Sequence, residues 1–266
     1  MVFNVHRIYD GLLGSAPKDP YYGFTRHRDL YLKADPGYKG RFTVPTLWDK
    51  KRETIVNNES SEIIRMFYDA FDELLPKGLQ EKNKADGGLL PSSLQSEIET
   101  FNEWTYDMLN NGVYKAGFAG TQAAYDEHVV RVFEGLDRLE KHLSDNASQG
   151  KGPYMFGKYI TEADIRVFPT IVRFDMAYFT IFKCNLGMIR VDYPHIHQWL
   201  REVYWDETSE TRGAFKSTTY PDHVSSMMQI CVRSMKLTVN ADQGRIYRCG
   251  QIEHRTERTF TACRAP

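Results

Sequence analysis

Two short stretches in the first quarter of the chain combine residue types that could bind a small peptide. Val44 and Pro45 lie in a β-favouring run, where a proline must occupy an edge, a strand start, or a cis peptide that exposes the backbone of Val44. Glu59 and Ser60 precede an apolar pattern of helical spacing, so we expect them at a helix N-terminus, where free N–H groups favour a carboxylate. Glu59 could in turn hold an ammonium group.

A ligand with an amine, a carboxylate and an extended backbone would suit this combination, and glutathione has all three. Each residue also has a simpler interpretation. Asn58, Glu59 and Ser60 are of types that cap helices. Pro45 alone could be an ordinary edge-strand proline.

The elements that would position these residues can be predicted from the surrounding pattern. Residues 42–48 are predicted as a strand, the charged run 49–53 as a turn, and 54–56 as a second strand. A short helix is expected within 27–36, ending before its proline. Residues 76–93, with Gly87, Gly88 and Pro91, are predicted as an exposed linker.

Beyond the linker the apolar period changes to 3.6, which predicts amphipathic helices that face a core. The first helix is expected to stop near Asn111 and Gly112. The apolar faces consist of Leu94, Ile98, Phe101, Thr105, Met108 and Leu109 in the first helix, and of Tyr125, Val129, Val132, Phe133, Leu136, Leu139 and Leu143 in the second.

Two further helix starts are indicated by capping signals. Thr161 and Asp164 form a variant capping box, and the helix that they open contains Pro169, where a kink is expected. Pro194 opens another helix, which carries Trp199 and Val203.

Several other reactive residue types have structural interpretations. His195 and His197 do not share a helix face, and their only acidic neighbour in sequence is Asp192, so we predict no metal site. Cys184 follows an apolar helix and is expected to pack as a small hydrophobic residue. Arg173 and Asp175 are expected to form a buried or rim ion pair, with a substrate role as the alternative.

Composition excludes several classes of protein. The 266 residues are 41% apolar and 13% aromatic, which is enough for a real core. The net charge of −1 argues against nucleic-acid binding, and no apolar run is long enough to span a membrane. No export signal is recognised and the four cysteines have no paired spacing, so we expect a reducing, cytoplasmic location.

The last 42 residues differ from the rest of the chain. Between 225 and 266 there are seven basic and three acidic residues, and three of the four cysteines also fall there. Clear periodicity ends at the same point. We therefore expect residues 225–266 to be a divergent, poorly ordered tail.

Several long motifs resemble those of one family, the glutathionyl-hydroquinone reductases, which are xi-class relatives of the omega glutathione transferases. The motifs are VPTLWDK, IVNNESSEIIRMF, NNGVYKAGFA, TEADIRVF and VRFDMAYFTIFKC, and the resemblance covers residues 22–223. It implies an α/β plus all-α fold. A partial thioredoxin-like domain would occupy 1–75, followed by the linker 76–93 and the helical glutathione transferase domain 94–224.

The resemblance also implies roles for individual residues. Val44, Pro45, Glu59 and Ser60 would bind glutathione, the co-substrate. The second substrate would be an aromatic hydroquinone-type conjugate, and the protein would form a homodimer. Tyr114 would give or take a proton near the transferring sulfur, although it could also be a packed aromatic residue after a helix C-cap.

For Tyr178 the resemblance implies a phenol that faces the catalytic thiol and helps to hold it as a thiolate. By spacing alone it is one more apolar-face residue of a buried helix. In the family the nucleophile lies in a Cys-Pro-Trp-Ala segment before the Val-Pro strand, whereas here no cysteine precedes Cys184. We therefore expect the chain alone not to reduce glutathionyl-hydroquinones. The alternatives are a truncated, non-catalytic interaction or dimerisation module and a faulty gene model of an active enzyme.

Overall fold

The computed structural model describes residues 18–84, 87–221 and 224. The chain divides into two compact units, with the boundary between Ser96 and Glu97. We call them unit 1 and unit 2 and describe each by itself. The tail predicted at 225–266 lies outside the described residues. Over the described ranges, no helix combines the length and the apolar character that crossing a bilayer requires.

Unit 1 contains a short antiparallel hairpin between two helices. Its elements in chain order are α1 (His27–Ala34), β1 (Leu47–Asp49), β2 (Thr54–Asn57) and α2 (Ser60–Asp69). Trp48 lies opposite Ile55 in the hairpin register. The turn is closed by the side chain of Asp49, whose Oδ1 accepts the N–H groups of Lys51 and Arg52 at 2.8 and 2.9 Å. The predicted order of helix, strand, turn, strand and helix is confirmed.

The first strand is shorter than predicted, because the backbone before Leu47 bonds to side chains rather than to a strand. The carbonyl of Thr43 accepts the Tyr31 hydroxyl at 2.8 Å and lies 2.9 Å from His27 Nε2. Phe42 packs against the ring of Tyr31, with the ring centroids 5.6 Å apart. The β-favouring residues 42–46 therefore form an irregular segment that docks on α1.

The segment predicted as a linker contains short 3₁₀ turns. One turn, Asp72–Leu74, precedes it, and Lys77–Leu79 and Glu81–Asn83 lie within it. The buried carboxylate of Asp72 accepts the N–H groups of Glu81 at 2.8 Å and of Lys82 at 3.4 Å. This part of the segment is thus tied to the end of α2 rather than extended.

Unit 2 is helical and holds the main apolar core. Its elements are α3 (Gln95–Thr105), whose first two residues precede the unit boundary, a π turn (Tyr106–Asn110), α4 (Gly112–Gly117), α5 (Gln122–Ser148), α6 (Glu162–Arg173), a second π turn (Phe174–Tyr178), α7 (Phe179–Ile181), α8 (Ile189–Asp192), α9 (Pro194–Trp205) and α10 (Ala214–Ser217). The predicted apolar face of α5 is buried along its whole length. Both predicted amphipathic helices are confirmed.

A helix boundary lies near the predicted stop, since Asn111 is the C-cap of the π turn that continues α3, but Gly112 begins α4 directly after it. A Cβ at position 112 would lie 3.1 Å from a methyl group of Val132 on α5. The glycine therefore permits close packing of two helices and does not supply a left-handed cap. The π turn immediately before it carries the chain from α3 into α4.

The start of α6 is held by the predicted capping box. Asp164 accepts the N–H and the hydroxyl of Thr161, each at 3.0 Å, as well as the N–H of Met155 at 3.0 Å and Nε1–H of Trp199 at 2.9 Å. Burial raises the pKa of Asp164, while these four donors oppose that shift. One side chain thus joins α6 to α9 and to the loop before α6.

Candidate functional site

The residues that were predicted to bind glutathione lie on two neighbouring segments of unit 1. Val44 is 57% exposed, and its peptide bond to Pro45 is cis, which was one of the three predicted alternatives. Asn58 Nδ2 donates to Thr43 Oγ1 at 2.7 Å. Because Thr43 adjoins Val44 and Asn58 adjoins Glu59, this bond joins the two predicted segments.

The N-cap of α2 is Glu59, one of the three residues that were predicted to cap this helix. The side chain of Glu59 makes no capping bond. Its carbonyl accepts the N–H groups of Glu62 and Ile63 at 3.1 and 2.9 Å, and its own N–H donates to Asn57 Oδ1 at 2.6 Å. The predicted caps at Asn58 and Ser60 are therefore not used.

Ser60 and the carboxylate of Glu59 are exposed at this helix start. Among the described residues, no acceptor lies on the backbone N–H of Ser60 or Ser61. A helix N-terminus with unused N–H donors favours a ligand carboxylate, and an adjacent carboxylate favours an ammonium. The position of Glu59 and Ser60 at an exposed helix N-terminus is as predicted, and their binding of a ligand stays a prediction.

In unit 2 the structure brings together the two tyrosines that were predicted as catalytic. The hydroxyl oxygens of Tyr114 and Tyr178 are 3.2 Å apart, and their rings meet edge to face with centroids 5.8 Å apart. Tyr114 lies on α4, three residues after Asn111, which is the C-cap of the preceding π turn. The two phenols form one hydrogen-bonded pair, which neither spacing nor periodicity indicated.

Two phenylalanines that the sequence analysis missed complete an aromatic wall. Phe118 stacks on Tyr114 and Phe182 stacks on Tyr178, and the two phenylalanine rings contact each other with centroids 5.0 Å apart. Each follows its tyrosine by four residues, which places it on the same helix face. This repeated Tyr-x-x-x-Phe spacing was the signal in the sequence.

The environment of the pair keeps Tyr178 neutral. Its side chain is 1% exposed. Burial, and then the neighbouring Tyr114, raise the pKa of Tyr178 far above the usual range of a phenol. Tyr178 is therefore a neutral hydroxyl near neutral pH, and it can both donate and accept a hydrogen bond.

The expected ion pair between Arg173 and Asp175 is not formed. Asp175 accepts the backbone N–H groups of Ile189 at 2.8 Å and of Arg190 at 3.2 Å, and its carboxylate lies 4.0 Å from Arg190 Nε. The reason is the π turn after Arg173, which turns Asp175 toward the start of α8.

His195 has an acidic partner that its sequence neighbours did not reveal. Glu140 on α5 accepts the backbone N–H groups of His195 and Ile196, each at 2.9 Å, and lies 2.8 Å from His195 Nδ1. The carboxylate thus caps α9 from another helix. In the described ranges, no three side chains are grouped as metal ligands.

Cys184 is fully buried in the core of unit 2, as predicted. Burial raises the pKa of its thiol to about 12. Its backbone N–H donates to the carbonyl of Tyr178 at 3.1 Å. The side chain is therefore a protonated, packed thiol rather than a nucleophile.

Comparison with a family model and with a solved structure identifies the fold class of the protein. The family model for the glutathione S-transferase C-terminal domain matches residues 122–202, which run from the start of α5 into α9. The structure of glutathione transferase Xi 1 from Trametes versicolor superposes with a TM-score of 0.71 at 48% identity, covering 82% of this chain and 69% of that one. The fold is that of a glutathione transferase.

Two curated relatives indicate which group of glutathione transferases the chain resembles. Glutathione S-transferase omega-like 2 of Schizosaccharomyces pombe is 52% identical over 206 residues, which cover 77% of this chain and 62% of that protein. Glutathionyl-hydroquinone reductase YqjG of Escherichia coli is 49% identical over 196 residues, which cover 74% and 55%. The glutathione-bound structure of YqjG superposes with a TM-score of 0.70 at 45% identity, covering 82% of this chain and 64% of that one.

The chain belongs to the group of xi-class and omega-like glutathione transferases that includes the glutathionyl-hydroquinone reductases. It spans less than two thirds of the length of the curated relatives that it matches.

Proposed function

We propose that this chain takes part in the glutathione-dependent reduction of glutathionyl-hydroquinones, with unit 1 binding glutathione and Tyr114 protonating the leaving ring. The observation that carries the proposal is the hydrogen-bonded pair of Tyr114 and Tyr178, 3.2 Å apart within an aromatic wall. This arrangement suits both substrate binding and proton transfer. The aromatic rings can contact an aromatic substrate, and the Tyr114 hydroxyl can transfer a proton.

Glutathione would be bound by the exposed groups of unit 1. The backbone of Val44 would pair with the extended backbone of the ligand, next to Pro45. Ser60 and the free N–H groups of α2 would bind the α-carboxylate of the γ-glutamyl group, and Glu59 its ammonium. The relative YqjG has been solved with glutathione bound, which supports the choice of ligand.

The reaction would be a thiol exchange in two steps. A cysteine thiolate attacks the sulfur of the glutathionyl-hydroquinone and forms a mixed disulfide with glutathione. The carbon–sulfur bond breaks, and its electron pair remains on the ring carbon, which takes a proton from Tyr114. Glutathione thiolate then attacks the mixed disulfide, which releases oxidised glutathione and restores the cysteine thiolate.

The nucleophile in this scheme is not Cys184, whose buried thiol is protonated. Nucleophilic cysteines of this type lie at helix N-termini or beside cations, where the thiolate is stabilised. A Cys-Pro-Trp-Ala segment is the type that the resemblance implies, and the 266 residues contain none. The residues described here would therefore bind the substrates and supply the proton.

Calorimetric titration of the full chain with a glutathionyl-hydroquinone, under anaerobic conditions, tests the proposal. The conjugate should bind, and Tyr114→Phe should weaken its binding by about threefold to tenfold, as expected for one lost hydroxyl hydrogen bond. Tyr106→Phe is the matched control, because Tyr106 is exposed on the π turn before α4. Undetectable binding to the native chain, or equal effects of the two variants, would contradict the proposal.

A further inference from the structure

The exposed residue Val44 lies in a stretch of unit 1 that no strand ladder orders. In the described part of this unit the ladder begins at Leu47, which pairs with Asn57, and residues 43–46 precede it. Ordering of such a stretch costs conformational entropy, which other bonds must offset. Thr43 supplies these bonds, since both its carbonyl and its hydroxyl are hydrogen bonded.

The carbonyl of Thr43 is bound twice by α1. It accepts the hydroxyl of Tyr31 at 2.8 Å and lies 2.9 Å from Nε2 of His27. A carbonyl oxygen can only accept, so His27 carries its hydrogen on Nε2 in this contact. Both lone pairs of the carbonyl are then used. The backbone at Thr43 is therefore anchored to α1, and its carbonyl is not offered to a ligand.

The hydroxyl of Thr43 connects this anchor to the start of α2. Tyr31 gives its only hydroxyl hydrogen to the Thr43 carbonyl, so its oxygen, 3.2 Å from Thr43 Oγ1, accepts from that hydroxyl. Oγ1 in turn accepts from Nδ2 of Asn58 at 2.7 Å. Asn58 directly precedes Glu59, the N-cap of α2. One side chain thus links α1, the residue before Val44 and the N-terminus of α2.

Asn57 and Asn58 hold the start of α2 in two separate ways. Asn57 binds within the helix start, where its Oδ1 accepts the N–H of Glu59 and its Nδ2 donates to Oε2 of Glu62, each at 2.6 Å. Asn58 binds across to Thr43. Loss of the bond between Asn58 and Thr43 should therefore leave the hairpin and the helix start intact, but allow the stretch with Val44 to move relative to them.

We propose that Thr43 is a positioning residue of the glutathione site, whose hydroxyl fixes the distance between the backbone of Val44 and the N-terminus of α2. This inference rests on the proposed function and adds a selectivity for the length of the ligand. A ligand that reaches both groups makes its second contact at a high effective concentration, provided that the spacing is fixed. The site would therefore select γ-glutamyl peptides over free glutamate, which reaches only α2.

Titration of the full chain with glutathione and with L-glutamate, followed by protein NMR, tests the proposal. Thr43→Val keeps the branched shape but removes the hydroxyl. It should weaken glutathione binding by about threefold to tenfold, as expected for one hydrogen bond, and leave glutamate binding unchanged. Thr43→Ser keeps the hydroxyl and should bind both ligands as the native chain does. Thr54→Val is the matched control, because Thr54 begins β2 at the opposite end from Asn57.

A double-mutant cycle shows whether the effect passes through Asn58. If the two residues act through their shared bond, Thr43→Val combined with Asn58→Ala should bind glutathione about as strongly as either single variant. The effects of Thr43→Val and Asn57→Ala should instead add, because Asn57 bonds to Glu59 and Glu62. The proposal is wrong if Thr43→Val weakens both ligands by the same factor, or if its effect and that of Asn58→Ala are additive.

Urea unfolding of the same variants separates this inference from the proposed function. If the native chain binds glutathione and Thr43→Val binds it equally well, the positioning role is refuted and glutathione binding by unit 1 stands. If the native chain does not bind glutathione, the proposed function fails and the urea midpoints decide the rest. Non-additive midpoints for the Thr43 and Asn58 variants would then support the link between the two segments, and additive midpoints would refute it.

Discussion

Replacement of Gly117 by alanine should displace the aromatic wall behind the tyrosine pair. Gly117 is the last residue of α4, and a Cβ there would overlap three ring atoms of Phe182. The ring of Phe182 is 2% exposed and cannot swing into solvent. Its centroid lies 5.6 Å from that of Tyr114 and 5.5 Å from that of Tyr178, so it cannot move without shifting the pair.

The size of the effect follows from two opposing contributions. Overpacking of a filled core costs about 1–3 kcal/mol. Alanine in place of glycine in a helix stabilises by about 0.5–1 kcal/mol, which offsets part of this cost. The overlap with three ring atoms places this variant in the upper part of the overpacking range, about 2–3 kcal/mol. We therefore expect Gly117→Ala to lower the free energy of unfolding by about 1–2.5 kcal/mol. In a domain of this size that corresponds to a fall in Tm of roughly 2–10 °C.

Thermal unfolding followed by circular dichroism measures this change, and the chain offers a matched control. Gly120, three residues later, is exposed and has no atom within 4 Å of the position of an added Cβ. Gly120→Ala should therefore change the stability by less than about 0.5 kcal/mol. Equal Tm values for the two variants, or a stabilised Gly117→Ala, would refute the packing that places Phe182 against α4.

Two other variants test the rest of unit 2. Glu140→Gln turns an amide N–H₂ toward one of the N–H donors at the start of α9, so it should lower the free energy of unfolding, measured with urea, by roughly 1–3 kcal/mol. Glu127→Gln, on the exposed face of the same helix, should leave it unchanged. Equal urea midpoints for the two variants would argue against this cap. Burial raises the pKa of the Cys184 thiol to about 12, so this thiol should not react with a disulfide reagent in the folded protein. Cys184→Ala should therefore leave the number of reactive thiols unchanged in the folded protein and lower it by one in the denatured protein. A lower native count would show that Cys184 is reactive.

Local sequence patterns predicted the elements of both units, because the signals that start helices act within a few residues. The capping box at Thr161 and Asp164 and the proline at the start of α9 are of this kind. The helix boundary near Gly112 was predicted, but a glycine pattern alone does not distinguish a left-handed cap from a close contact between helices. Only the position of Val132 on another helix decides between the two.

The residues of the candidate site were identified from the resemblance of the sequence motifs to a known family. Their arrangement depends on π turns and long-range contacts, which the apolar periodicity of the sequence does not indicate. Both π turns interrupt the 3.6-residue period, so the contact of Asp175 with the start of α8 could not be read from helical spacing. The partner of His195 lies 55 residues away, on α5, and no local rule points to it. Long-range partners of polar groups were therefore the part that the sequence did not reveal.

Titration of the full chain with reduced glutathione tests the central claim most directly. The native chain should bind, and Ser60→Ala should weaken binding by roughly tenfold or more, because it removes a hydrogen bond to a charged carboxylate. Ser61→Ala is the matched control in the same helical turn. A Ser60-dependent loss that Ser61→Ala does not share is the result that the account predicts. Native-like affinity in Ser60→Ala, or no binding of glutathione by the native chain, would contradict it.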